Sequence, residues 1–120
     1  MSEIRANTIS DAAGTGPVTL TGQYAAKAWV NFNGTSTVAI RESGNVSSIT
    51  DRGSGQYTIN FSNSLSDANY SVSGTVWYDG VRNGLTGVVG TPATSNVQVN
   101  CDSTAAGAQD MLQCHYAIFR

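Results

Sequence analysis

Between Gln56 and Phe61 the chain alternates without exception: Tyr57, Ile59 and Phe61 are apolar, while Gln56, Thr58 and Asn60 are polar. A repeat of two marks an extended strand with one buried and one wet face, because successive side chains leave a strand on opposite sides. The same alternation runs through Lys27 to Asn33. It puts Lys27, Trp29, Asn31 and Asn33 on one side and Ala28, Val30 and Phe32 on the other, with an aromatic on each face. Thr37 to Glu42 resumes the pattern after the turn-rich Asn33-Gly34-Thr35-Ser36, so residues 27–42 are expected to form a hairpin. Val46–Thr50, Tyr70–Tyr78, Asn96–Cys101 and Gln113–Phe119 are rich in β-branched or aromatic residues and read as further strands. Turns are expected at Asp51–Gly55, Ser62–Ala68, Asp79-Gly80 with Asn83-Gly84, and Asp102–Gly107.

Six to eight short strands at this spacing predict an all-β protein, an antiparallel β-sandwich or small barrel. The one helical signal, Ala105 to Met111, is short and interrupted by Gly107. Charged residues make up 12% of the 120 positions, about half the usual share of ~25%, as suits a chain of small polar turn residues and short strands. That length corresponds to one domain. Its first residues, through Asp11-Ala12-Ala13-Gly14-Thr15-Gly16-Pro17, have no apolar period and concentrate Gly, Ala and Pro. The chain therefore divides into an extended N-terminal arm, 1–25, and a β-domain, 26–120.

Several classes of function are excluded by what the residues cannot do. The net charge is −2, and Arg5, Lys27, Arg41, Arg52, Arg82 and Arg120 are scattered. No basic stripe forms, so nucleic acid is not expected as a partner. No apolar run approaches the roughly 20 residues of a membrane span, and Met1-Ser2-Glu3-Ile4-Arg5 begins no secretory leader, which points to synthesis in a cytoplasm and no membrane insertion. The eight carboxylates fall mainly in expected turns, where Asp caps and Asx-turns explain them. The single histidine, His115, sits between Cys114 and Tyr116 in the last strand and is read as a surface or interface residue. No catalytic residue, metal site or cofactor is expected, and the chain is not expected to be an enzyme.

Cys101 and Cys114 match no zinc spacing. They read as two buried thiols. If their strands pair as a hairpin around the 105–109 loop, they face each other across the ladder and can oxidise to a disulfide outside a reducing cell.

Among the polar residues, Trp77-Tyr78-Asp79-Gly80-Val81-Arg82-Asn83 places two aromatics, an acid, a base and an amide at a strand end and its loop. Aromatic stacking with adjacent hydrogen-bonding groups suits the grip on a sugar or another protein, so Trp77, Tyr78, Asp79, Arg82 and Asn83 are the candidate receptor contacts. The competing reading is a core aromatic followed by a turn. Neighbouring strand residues face opposite ways, so a regular strand turns only one of Trp77 and Tyr78 outward.

Lys27–Gly34, Ile40–Asp51, Gly55–Phe61 and Asp67–Tyr70 together resemble a module of phage tail-fibre and other virion proteins, and Asn7–Asp11 with Gly14–Pro17 is similar to the polar lead-in before it. The resemblance covers roughly residues 6–78. It implies a phage virion structural protein assembled in the host cytoplasm, most simply a short homotrimeric tail fibre. In that picture the N-terminal arm attaches to other virion proteins, and a knob-like sandwich touches a glycan or protein of the host surface. Two alternatives stand beside it: a head decoration or connecting protein that joins virion subunits without a receptor, and a lectin-like sugar-binding module.

Overall fold

The computed structural model describes residues 2–10, 12–14, 21–78, 84–87, 90–103 and 107–120. Nine strands follow one another among them: β1 (Ala26–Asn33), β2 (Ala39–Gly44), β3 (Val46–Gly53), β4 (Gln56–Phe61), β5 (Ser71–Trp77), β6 (Gly84–Gly87), β7 (Asn96–Ser103), β8 (Gly107–Ala108) and β9 (Gln113–Phe119). The protein is all-β, with two antiparallel sheets and no helix among the described residues. A front sheet has the order β2-β1-β9-β5, and a back sheet the order β3-β4-β7-β6, with β8 pairing β7. The described residues before β1 form no strand and are exposed.

The alternation sorts side chains into one core between the sheets. From the front come Ala28, Val30 and Phe32 of β1 and Cys114, Tyr116 and Ile118 of β9. Tyr57, Ile59 and Phe61 of β4 and Val97, Val99 and Cys101 of β7 come from the back. The sheets meet where the Phe32 and Tyr57 rings stand edge to face, 5.1 Å between centroids. Each large apolar side chain buried this way contributes about 1.5–3 kcal/mol.

Asn45 alone carries the chain from the front sheet to the back. It lies between β2 and β3 with φ at 54°, a left-handed conformation that Asn tolerates better than most residues. Its side-chain nitrogen donates to Lys27 O (3.0 Å) and Asn63 O (3.1 Å), and its Oδ1 accepts from Asn63 N (2.8 Å). The corner is thereby tied to both neighbouring segments. Gly55 closes the β3–β4 turn with φ at 67°, and a Cβ there would lie 2.5 Å from both Cys101 O and Gln109 N.

The expected 27–42 hairpin is present as β1 paired with β2. Four expectations require correction. Strand β3 runs on through Asp51 and Arg52 to Gly53, because Asp51 Oδ1 accepts from Gly53 N at 2.9 Å and lets the ladder pass over an irregularity there. Gly107 and Ala108 take no helical turn. They pair with Ser103 and Asp102 on β7, and Gln109 N then donates to Cys101 O at 2.9 Å. Beyond Trp77, an unanticipated β6 pairs with residues 100–103 of β7. The cysteine-bearing strands do not form a hairpin: β7 belongs to the back sheet and β9 to the front.

Candidate functional site

Strand register assembles a surface that no single segment announces. On the outer side of the front sheet, Trp29, Ala117 and Ser73 lie in one row across β1, β9 and β5; Asn31, His115 and Thr75 form the next. Gln113 and Trp77 form a third. The alternation that sends Val30, Tyr116 and Ile118 inward turns these residues to solvent. Trp29 is 41% exposed and Trp77 48%, and they are the chain's two tryptophans. Phe119 lies on the same face, one row beyond Ala117, and is also exposed.

A concavity of about 370 Å³ opens on this face, lined by Trp29, Asn31, Ser73, Thr75, His115 and Ala117. Its position follows from side-chain size. The Trp29 indole lies against Gly44 of β2, where an added Cβ would come 2.3 Å from Nε1, so a residue without a side chain leaves room for the ring. Asn31 Oδ1 accepts from Arg41 Nη1 at 3.2 Å, and Arg41 also donates to Leu112 O at 2.6 Å. His115 Nε2 lies 3.2 Å from Gln113 Oε1. Among the described residues, the Ser73 and Thr75 hydroxyls and the Asn31 amide hydrogens have no protein partner.

A second concavity, about 380 Å³, lies among Thr35, Ser36, Ser54, Tyr78, Gln109 and Asp110. Its carboxylate is already committed: Asp110 Oδ1 accepts from Gly55 N (2.8 Å) and Tyr57 OH (2.9 Å). Burial, and then the hydrogen bond to Asp110, push the Tyr57 phenol well above its ordinary pKa. The arrangement joins β4 to the segment before β9.

Of the sequence candidates, Trp77 and Tyr78 are both exposed, yet they do not share a surface. Trp77 ends β5 on the outer front face, whereas Tyr78, one residue past the strand, lines the second concavity. Asp79, Arg82 and Asn83 lie outside the described residues. Cys101 and Cys114 are free, buried thiols with 3.7 Å between sulfurs, and Cys101 Sγ is also 3.3 Å from Tyr116 OH. Trp29, Asn31, Ser73, Thr75 and His115 belong to no recognition motif visible in one segment of the sequence. The polar side of β1 had already grouped Trp29 with Asn31, but the register that adds β9 and β5 was not legible.

No group of three or more His, Cys, Asp or Glu side chains that could hold a metal ion occurs among the described residues, and no helix there is long and apolar enough to cross a membrane. No family model, curated protein or solved structure matches the chain.

Proposed function

We propose that this protein is a non-enzymatic structural component of a phage virion whose β-domain contacts the host surface. Residues 26–120 form a β-sandwich, carried on the extended N-terminal arm of residues 1–25. Three copies assemble into a short fibre, with the arms seated on other virion proteins. The observation that carries this reading is the segregation of exposed aromatic surface: among the described strand residues, Trp29, Trp77 and Phe119 are the exposed aromatics, and all three lie on the outer front face. The outer side of the back sheet instead carries Asn and Thr side chains hydrogen-bonded to one another, as Asn60 is to Ser48 and Thr50. One face is thus suited to recognition and the other to water.

The arm supports attachment in its own way. Ile4, Ile9 and Tyr24 expose 89, 70 and 84% of their surface, apolar area that gains free energy on meeting a partner. A cryo-electron-microscopy map of the intact particle tests the proposal. Three copies around one axis, arms inward and front faces in solvent, are expected. Copies buried between capsid or tail subunits would instead make the chain a connecting or decoration protein, and absence from the particle would end the virion reading.

A further inference from the structure

We propose that the outer front face is a binding site for an uncharged oligosaccharide, stacked on Trp29 and hydrogen-bonded by Asn31, Ser73, Thr75 and His115, with Trp77 as a second platform along the chain of sugar rings. The inference names the ligand of the host-contact surface proposed above and rests on that reading for its biological setting, while the site itself is argued from geometry.

The face combines two chemistries that a sugar ring also combines. A pyranose presents a patch of C–H bonds on each face, which packs on an aromatic ring, and a rim of hydroxyls that donate and accept at once. Trp29 supplies the ring at one wall of the concavity. Asn31 beside it on β1 offers free amide hydrogens, His115 on β9 an imidazole, and Ser73 and Thr75 on β5 hydroxyls, the mixed donor and acceptor set that hydroxyls require. The volume, about 370 Å³, falls at the lower end of small-molecule sites.

Charge and spacing narrow the class. No Asp, Glu, Lys or Arg lines the concavity, and the nearby Arg41 guanidinium is engaged by Asn31 and Leu112. Arg41 keeps its charge against these neutral acceptors but is not part of the wall, so an acidic sugar or a phosphate would find no ion-pair partner among the lining residues themselves. Trp29 stands opposite Ala117 and Trp77 opposite Gln113, four residues apart along β9 and on its two different neighbours. At strand spacings of about 4.8 Å and a rise of about 3.4 Å per residue, the backbone positions of the two tryptophans are on the order of 17 Å apart. That exceeds one sugar ring, so a ligand touching both is an oligomer.

A second copy of the chain is the rival occupant, and the polar residues argue against it. A dry protein interface over this face would strand Asn31, Ser73 and Thr75 without partners unless the facing surface matched each group, and the cost of unpaired buried polar groups is large. A polyhydroxylated ligand supplies those partners by its nature.

The test uses the purified full chain, titrated with cellotetraose, maltotetraose, the tetramer of N-acetylglucosamine and sialyllactose, up to about 10 mM. Tryptophan emission and calorimetry are the readouts. Because both tryptophans lie on this face, a bound sugar is expected to shift the emission directly. At least one neutral oligomer should bind, and sialyllactose should not. Trp29→Ala is expected to weaken binding about tenfold, and Ser73→Ala with Thr75→Ala about fivefold, with circular dichroism unchanged. Gly44→Ala, which moves the indole without deleting it, should also weaken binding. Failure of all three neutral oligomers, equal binding of sialyllactose, or full affinity in Trp29→Ala would overturn the proposal, as would conversion of an oligomer to monomers by Trp29→Ala. These outcomes are read on the isolated chain, so they stand apart from the particle map that decides the virion reading.

Discussion

Cys101 Sγ and Cys114 Sγ lie 3.7 Å apart across the core, one on the back sheet and the other on the front. Neither residue has solvent exposure, and the contact with Cys101, followed by burial, pushes the Cys114 thiol well above its ordinary pKa. A thiol reacts as its thiolate and only where a reagent can reach it. In the folded protein both cysteines should therefore resist an aromatic disulfide reagent and react fully in denaturant; rapid labelling of the native protein would contradict the packing. Refolding with oxidised glutathione should give a monomer lighter by two hydrogens. The two thiols pass their electrons to glutathione disulfide, which leaves as two reduced molecules. The resulting link, closing a short loop, should stabilise the domain by about 3 kcal/mol.

Tyr57 brings one of two buried phenols to that core, Tyr116 the other. The Tyr57 hydroxyl donates to Asp110 Oδ1, with Gly34 O at 3.0 Å. Tyr57→Phe takes that O–H away from Asp110 Oδ1, which keeps only Gly55 N as a donor, and is expected to cost about 1–3 kcal/mol in chemical denaturation. The phenol also predicts an alkaline limit. Its folded pKa is raised by burial first, and so is that of Tyr116. A group whose folded pKa is raised contributes stability that is complete below the unfolded value, about 10 for tyrosine, and is lost as pH climbs toward the folded one. Absorbance titration should show a late phenolate fraction that appears together with loss of β-structure.

Replacement of Asn45 tests the corner between the sheets. Asn45→Ala removes three hydrogen bonds and puts a poorly suited residue at positive φ. The combined cost should be about 2–4 kcal/mol by thermal or urea unfolding. Asn45→Gly keeps the backbone permission and loses the side chain, so it should fall between Asn45→Ala and the parent. If the two variants are equally stable, the left-handed conformation contributes little.

Much of the fold was written in the period of two. Alternation in β4 names core residues directly, since Tyr57, Ile59 and Phe61 fall on the expected buried face, and in β1 it separates Ala28, Val30 and Phe32, which the core takes, from Trp29 and Asn31. Strand partnership is a different kind of information. Nothing in the composition of Cys101 and Cys114 says that their strands lie in opposing sheets, because that depends on which edge each strand finds last. β6 was hidden for a local reason: Gly84 and Gly87 bound a four-residue strand, and glycine carries no pattern. The front face was half legible. Trp29 and Asn31 share a side of β1 by spacing alone, but Ser73, Thr75 and His115 join them only through antiparallel register with β5 and β9. A motif confined to one segment, such as Trp77-Tyr78, drew attention for its density, and the structure turns its two aromatics to different surfaces.

Asp67 and Arg120 give the acid counterpart of the tyrosine prediction. Arg120 Nε donates to Asp67 Oδ1 at 2.8 Å, and its Nη2 reaches Oδ2. The pair clasps the loop before β5 to the residue that follows β9. Asp67 also accepts from Asn69 N at 2.8 Å. Arg120 first, and Asn69 second, hold the Asp67 carboxyl below its usual range. A depressed folded pKa contributes stability that is fully present above the unfolded value, about 3.9, and disappears as pH falls through the folded one. Asp67→Asn should therefore lower Tm at pH 7 and make no difference at a pH below both values. Both side chains are solvent-accessible, so the gap at neutral pH should also shrink in about 1 M salt, where the screening length is ~3 Å. A gap that persisted unchanged in strong acid would assign the effect of Asp67 to the Asn69 turn geometry instead of the charge pair.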